Sequence, residues 1–157
     1  MWIYKGEVFE EEQIGDNYGF VYIITNGVNG KKYVGRKYFF SKTSKPPLKG
    51  KTRRRHFIKP SNWKTYWGSS KVVAEEMDNH GHENFTREIV SLHCDKASTN
   101  YHELSLQIHL NVLEAVNEDG ERKFYNSNIM TKFYSSEKYH DERIELSEVY
   151  RNYGTGM

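Results

Sequence analysis

Two strand-like runs around a tight turn constrain this chain more than any other feature. Gly19–Thr25, G-F-V-Y-I-I-T, is rich in β-branched and aromatic residues; N-G-V-N-G at 26–30 is a turn signal; Lys31–Phe40 is a second run with strand propensity. The combination predicts a β-hairpin. Downstream, Ser61 caps a short turn at Trp63–Trp67, and Gly68-Ser69-Ser70 breaks the chain and caps a helix from about Lys71 to Asn79, ended by His80-Gly81. Phe85–Leu92 reads as a third strand. Ser98 or Thr99 is the expected cap of the longest helix, about Asn100–Val116, with Tyr101, Leu104, Ile108 and Val112 on its buried face. Phe124–Phe133 is mixed, and the charged, tyrosine-rich tail from Ser135 reads as helical around Arg143–Tyr150. The expected fold is α+β, a small, mainly antiparallel sheet of three core strands with the hairpin first, flanked by helices. Residues 1–17 form an N-terminal arm, 18–134 the domain with an insert at 41–60 that holds all three prolines, and 135–157 the tail.

Composition narrows the class. At 157 residues there is room for one domain, and 15% aromatic content (Tyr 12, Phe 8, Trp 3) makes rings the main core material. The mean hydropathy of −0.86 is low, but disordered chains are poor in aromatics, so a compact and polar globule is expected. No apolar run is long enough to span a membrane. Met1–Glu12 carries acids and no apolar core of a secretory signal. One cysteine, Cys94, excludes an internal disulfide framework, suits a cytoplasmic location (the host's, if the gene is a phage's) and reads as a plain buried thiol.

The net charge of +2 averages two unlike parts. From Asn17 to Ala74 there are fourteen Lys and Arg and no Asp or Glu; the remainder holds nine basic residues and all 21 acids. Such a segment either attracts a polyanion, nucleic acid being the commonest, or is a solvated face balanced by the acidic part.

Several side chains carry chemical potential. Tyr22 and Tyr33 are eleven apart on the paired runs, and if both point to one face two phenols converge beside Arg36, Lys31, Lys32 and Lys37. A hydroxyl among cations has its ionised form favoured and can act as a general base; a cross-strand aromatic pair that only stabilises the hairpin is the plainer reading. His80, His82, His93, Cys94 and His102 match no standard zinc spacing, and His80 and His82 sit where helix ends use histidine as a cap. Trp63, Tyr66 and Trp67 either fill the core or stack on bases.

The motifs G-F-V-Y at 19–22 and K-Y-V-G at 32–35 resemble the paired motif of the GIY-YIG nuclease superfamily. W-K-T-Y-W-G-S-S at 63–70, N-F-T-R-E-I at 84–89, Tyr101-His102-Glu103 and F-Y-N at 124–126 follow in the order seen in such proteins of T-even-like phages. The resemblance covers roughly residues 18 to 130. It implies a phosphodiesterase site in which Tyr22 helps deprotonate the attacking water, Tyr33 positions it, Arg36 grips the scissile phosphate, Glu103 ligates one Mg²⁺ or Mn²⁺, and Asn126 shapes the site. Taken alone, Glu103 falls on an ordinary polar helix face with Gln107 and Glu114. One departure concerns an arginine that many members carry about ten residues after the second tyrosine, where this chain has Thr43. Arg53, Arg54, Arg55 and His56 either supply that group or only grip the DNA backbone with Lys37, Lys49, Lys51 and Lys64.

The function expected is a phage-type, metal-dependent DNA endonuclease in a homing or genome-competition role, leaving 5′-phosphate and 3′-hydroxyl ends, with no membrane or small-molecule partner. A double-strand break then needs a homodimer or two successive nicks. The alternative is a non-catalytic nucleic-acid-binding module on the same fold.

Overall fold

The computed structural model describes residues 1–154; Thr155, Gly156 and Met157, the end of the expected tail, lie outside the described residues. In chain order the elements are β1 (Trp2–Tyr4), β2 (Glu7–Val8), β3 (Gly19–Asn26), β4 (Lys32–Tyr38), β5 (Phe40–Lys45), β6 (Arg55–Pro60), α1 (Lys71–His80), β7 (Phe85–His93), α2 (Lys96–His109), β8 (Asn128–Ile129), β9 (Phe133–Tyr134), α3 (Glu137–Glu145) and α4 (Ser147–Gly154).

The main sheet has the order β2-β1-β7-β3-β4. Three of its strands, β7, β3 and the edge strand β4, are the ones the sequence patterns announce, and β3 pairs antiparallel with each of the other two. Residues 2–8 add two more strands, with β1 parallel to β7. The signal for this pairing is weak because three residues are too few for a period to register. Trp2 nevertheless carries the arm into the core, where it is 2% exposed and its indole N–H donates to the Trp63 carbonyl at 2.7 Å.

Alternation along β3 sends Phe20, Tyr22 and Ile24 to one face and Val21 and Ile23 to the other, so the sheet has two cores. The first is built of rings. Trp2 meets Phe20 and Tyr22 edge-on at 4.9 and 5.2 Å between centroids, and Trp63 meets Phe39 edge-on at 5.2 Å, the geometry that aromatic quadrupoles favour. The second is aliphatic, around Val21, Val34, Val112 and Leu113. Arg87 locks the segment before α1, which opens with a short helical turn at Trp63–Thr65, onto β7. Its guanidinium lies between the Trp2 and Trp67 rings, at 4.7 and 4.4 Å from their centroids, and donates to the carbonyls of Tyr66 and Lys64.

Three expectations need correction. The long helix runs over 96–109, not 100–116, because the Asp95 carboxylate accepts from the Ser98 N–H at 2.7 Å and starts the helix earlier. It stops where Asn111 turns left-handed at φ +52°. Its inward face is also different. Tyr101 and Ile108 are exposed, while Thr99 and Gln107 are buried, since the helix lies on β3 and β4 through a polar stripe and leaves apolar packing to Leu104, Leu106 and Leu110 at its flank. Cys94 is exposed at the end of β7. The insert at 41–60 folds into a separate hairpin, β5 with β6, in which Thr43 faces Phe57.

Candidate active site

The site forms at the open edge of β4, the last strand of the sheet. Residues 123–126 run beside this edge only briefly. The Lys32 N–H donates to the Lys123 carbonyl at 3.0 Å, and the Tyr125 N–H donates to the Lys32 carbonyl at 2.7 Å. Backbone pairing then stops, and one side chain continues it. The buried Asn126 amide accepts from the Val34 N–H at 3.0 Å and donates to the Val34 carbonyl at 2.8 Å. An amide can do this because it carries a donor and an acceptor side by side, as a peptide group does. Past Val34 the edge is uncovered.

There a cavity of about 800 Å³ opens, lined by Tyr33, Arg36, Glu103 and Asn126 together with the Ser69–Val72 segment, Asn100 and residues 127, 128, 130 and 131. Alternation on β4 explains the mixture. Tyr33 and Gly35 share a face with Tyr22, while Val34 and Arg36 face α2. The cavity therefore takes its phenol from one side of the sheet and its charged pair from the other. Arg36 Nε lies 3.8 Å from the Glu103 carboxylate and donates to the Asn100 side-chain oxygen. Burial pushes the Glu103 carboxyl above the usual carboxylate range, and the Arg36 guanidinium with a backbone bond from Arg36 only partly offsets this.

Tyr22 does not line the cavity. It is 1% exposed, its ring centroid 6.4 Å from that of Tyr33 and 6.1 Å from that of Tyr66, which it meets edge-on. Two glycines make this nest possible. Gly35 stands opposite Tyr22, where a Cβ would lie 2.4 Å from the Tyr22 hydroxyl. Gly68, at φ +86°, is in the left-handed region and packs on both phenols. Two further hydroxyls complete the cluster: that of Tyr66 lies beside Tyr22, and that of Ser69 beside Tyr33.

The expectation that surrounding cations favour the phenolates is not met. Burial pushes the Tyr22 hydroxyl well above the ordinary tyrosine value, with Tyr66 and Tyr33 adding to it, and burial raises Tyr33 as well. The lysines near the hairpin are directed elsewhere: Lys31 lies over the Tyr125 ring at 4.8 Å and Lys37 over the Tyr66 ring at 4.0 Å. A register shift at Val21/Tyr22 skips Val90 of β7, a bulge directly beside the buried tyrosine.

The other basic candidates stand apart from the cavity. Lys49, Lys51, Arg53, Arg54, Arg55 and His56 are on β6 and the loop that precedes it, where Arg54 donates to Ser44 and Arg55 to the Pro46 carbonyl. Arg36 is the one arginine among the cavity's lining residues. Lys64 is held by Glu11 at 2.8 Å on the side of the N-terminal arm. The histidines are dispersed: His80 bonds Asn26, and His93 stacks on His102 at 4.5 Å. Among the described residues no three His, Cys, Asp or Glu side chains converge on a common point.

Sequence reasoning missed Asn100, Tyr66, Gly68 and Ser69 as members of the site. The last three lie within the W-K-T-Y-W-G-S-S motif, whose order along the chain was the available signal; Asn100 carries no pattern of its own.

Neither a search of curated proteins nor one of solved structures finds a significant match. A family model described as "Putative endonuclease segE, GIY-YIG domain" matches residues 2–129. That span starts at β1, passes through both tyrosine strands and α2, and ends just beyond Asn126, so it takes in every strand of the main sheet and every lining residue named above up to position 129. By that match over most of its length, the chain belongs to the SegE-type family of the GIY-YIG nuclease superfamily.

Proposed function

We propose that this nuclease domain is a metal-dependent DNA endonuclease whose reaction takes place in the cavity at the β4 edge. One observation carries the reading: Tyr33, Arg36, Glu103 and Asn126 meet in a single cavity large enough for a phosphodiester and its sugar. The residues fit a divalent cation. Glu103 is a carboxylate short of compensation for its burial, and amide and hydroxyl side chains, Asn100, Asn126, Ser69 and Ser70 among them, line the same cavity. One carboxylate in such a setting suits a hard ion that keeps most of its waters, such as Mg²⁺ or Mn²⁺. Glu103 would hold it, and when bound the ion polarises the phosphate and offsets charge on the leaving 3′ oxygen.

The chain's own groups do the rest. Arg36, oriented by Asn100, donates to the non-bridging oxygens of the scissile phosphate and counters the charge that grows there. Tyr33 presents its hydroxyl to the attacking water. Water oxygen bonds to phosphorus, the P–O3′ bond breaks, and the products are 5′-phosphate and 3′-hydroxyl ends. Tyr22, behind Tyr33 and out of reach of the water, is assigned that proton in its ionised form: the Tyr33 hydroxyl takes the water's proton as it passes its own to the Tyr22 phenolate, which is left neutral. The exposed β5–β6 hairpin, with Lys49, Lys51, Arg53, Arg54, Arg55 and His56, is the surface for the DNA backbone outside the cavity.

Supercoiled plasmid with Mg²⁺ tests the reading. The wild type should nick it, chelation should stop the reaction, and Glu103→Ala should lose activity by at least about a hundredfold while still retarding DNA in a gel. Cleavage that persists in Glu103→Ala removes Glu103 from the metal. Binding without cleavage by the wild type identifies a non-catalytic module instead.

The raised Tyr22 hydroxyl gives a second expectation. Below its pKa a base's ionised fraction rises about tenfold per pH unit, so the single-turnover rate should climb with that slope from roughly pH 7.5 to 9.5. A flat profile excludes Tyr22 as the proton acceptor.

A further inference from the structure

Arg36 has a second neighbour. On its other side lies a cleft of about 410 Å³ that shares Arg36 with the catalytic cavity. Its walls come from β4, the start of β5, Tyr66 and the first residue of α2. Of the residues that line it, Arg36, Lys37, Lys42 and Lys96 are cationic and none is Asp or Glu. Its aromatic floor is already occupied by these cations. Lys37 Nζ stands 4.0 Å from the Tyr66 centroid, and Arg36 and Lys96 stand 5.4 and 5.8 Å from that of Tyr38. A nucleobase would have to displace the cations to stack there, whereas an anion adds to them. Partial burial also pulls the Lys37 ammonium below the usual lysine value. A single amide joins the two cavities: Asn100 accepts from Arg36 and from the Tyr38 hydroxyl.

We propose that this cleft is a second phosphate subsite, taking the phosphodiester next to the scissile one on the same strand and so fixing the register in which the strand crosses the cavity. Lys42 and Lys96 are its new contacts, Lys37 joins them, and Tyr38 positions Lys96 and Arg36. The proposal rests on the nuclease reading for its substrate, DNA.

Adjacent phosphates flank one nucleoside, so thymidine 3′,5′-bisphosphate and thymidine 5′-monophosphate are the probes, titrated calorimetrically in Mg²⁺ buffer. The bisphosphate should bind the wild type at least about tenfold tighter, the second group being delivered at high effective concentration by the first. The double variant Lys42→Ala/Lys96→Ala, which alters two exposed side chains, should lower bisphosphate affinity to the monophosphate level and leave the monophosphate unchanged. The proposal is overturned if the bisphosphate binds the wild type no tighter than the monophosphate, whether both are tight or weak, or if the double variant keeps the full gain. Plasmid cleavage by the same wild-type preparation is scored separately. A protein that binds the bisphosphate as expected but does not cut DNA fails the nuclease reading and keeps the subsite.

Discussion

Gly35→Ala should destabilise the protein by about 3 kcal/mol, the upper end of what overpacking costs, and abolish any cleavage. The added Cβ would lie 2.4 Å from the Tyr22 hydroxyl oxygen, 2.6 Å from Cζ and 3.1 Å from Cε1. Something must move, and the ring has nowhere to go. Tyr22 is 1% exposed, with Trp2 edge-on at 5.2 Å and Tyr66 edge-on at 6.1 Å. The strand cannot yield cheaply either, because β4 pairs with β3 from Lys32 to Tyr38. For a chain of this size the expected loss in Tm is roughly 6–12 °C, readable by calorimetry. Tyr22→Phe in the same background removes the nearest atom and leaves the ring carbons, so it should recover part of the loss, a non-additivity expected only of residues in contact. A Gly35→Ala protein melting within about 2 °C of wild type, against the range that overpacking predicts, would sink the idea that this glycine exists to admit the phenol.

Asn126→Ala should cost about 2–3 kcal/mol, the penalty of leaving a buried backbone donor without a partner. The Val34 carbonyl keeps a second donor, Gln107 Nε2 at 3.3 Å, whereas the Asn126 side chain is the partner of the Val34 N–H. Asn126→Asp separates this account from simple loss of volume. A carboxylate can accept from the Val34 N–H but cannot donate to its carbonyl, which it would instead face at hydrogen-bond distance. The introduced carboxyl should therefore have a raised pKa in the folded state. Its protonated form, which donates as the amide does, is the stable one, so stability is present at low pH and is lost as pH rises through the folded-state pKa. The gap in Tm between Asn126→Asp and wild type should narrow below about pH 4, near the ordinary Asp value, and widen toward neutrality. A gap that is constant with pH would mean that Asn126 acts only as filler.

Both substitutions concern residues whose importance sequence resemblance implied without giving a reason. Gly35 belongs to the K-Y-V-G half-motif and Asn126 to F-Y-N. In the fold one is a space and the other a substitute for a missing strand. The same holds for the segment Tyr66–Ser69, which Arg87 anchors through the Tyr66 carbonyl and which packs a glycine against both phenols.

Local pattern determined a good deal. Period-two alternation and the N-G-V-N-G turn fix β3, β4 and the identity of their inward faces. Ser70 marks the start of α1 by accepting from the Val73 N–H at 3.2 Å, and β7 reads correctly from Phe85 onward. These features depend on residues a few positions apart, so sequence order alone carries them. The polar face of α2 escaped that logic because apolar periodicity assumes that a helix buries its greasiest stripe, and this one buries Gln107, which donates to the Val34 carbonyl at the strand edge, and Thr99, which donates to the Asp95 carbonyl of its own first turn.

The acid-free stretch from Asn17 to Ala74 determined by itself that one part of this protein is strongly cationic, and motif order determined its family. Only the tertiary structure decided how those charges are divided: Arg36 between a carboxylate and a basic cleft, Lys64 neutralised by Glu11, and the arginine cluster out on its own hairpin. The reason is that a charge acts over a few ångströms in space. Which partners fall within that range is set by the sheet edge and by the helix laid across it, neither of which is written in neighbouring residues.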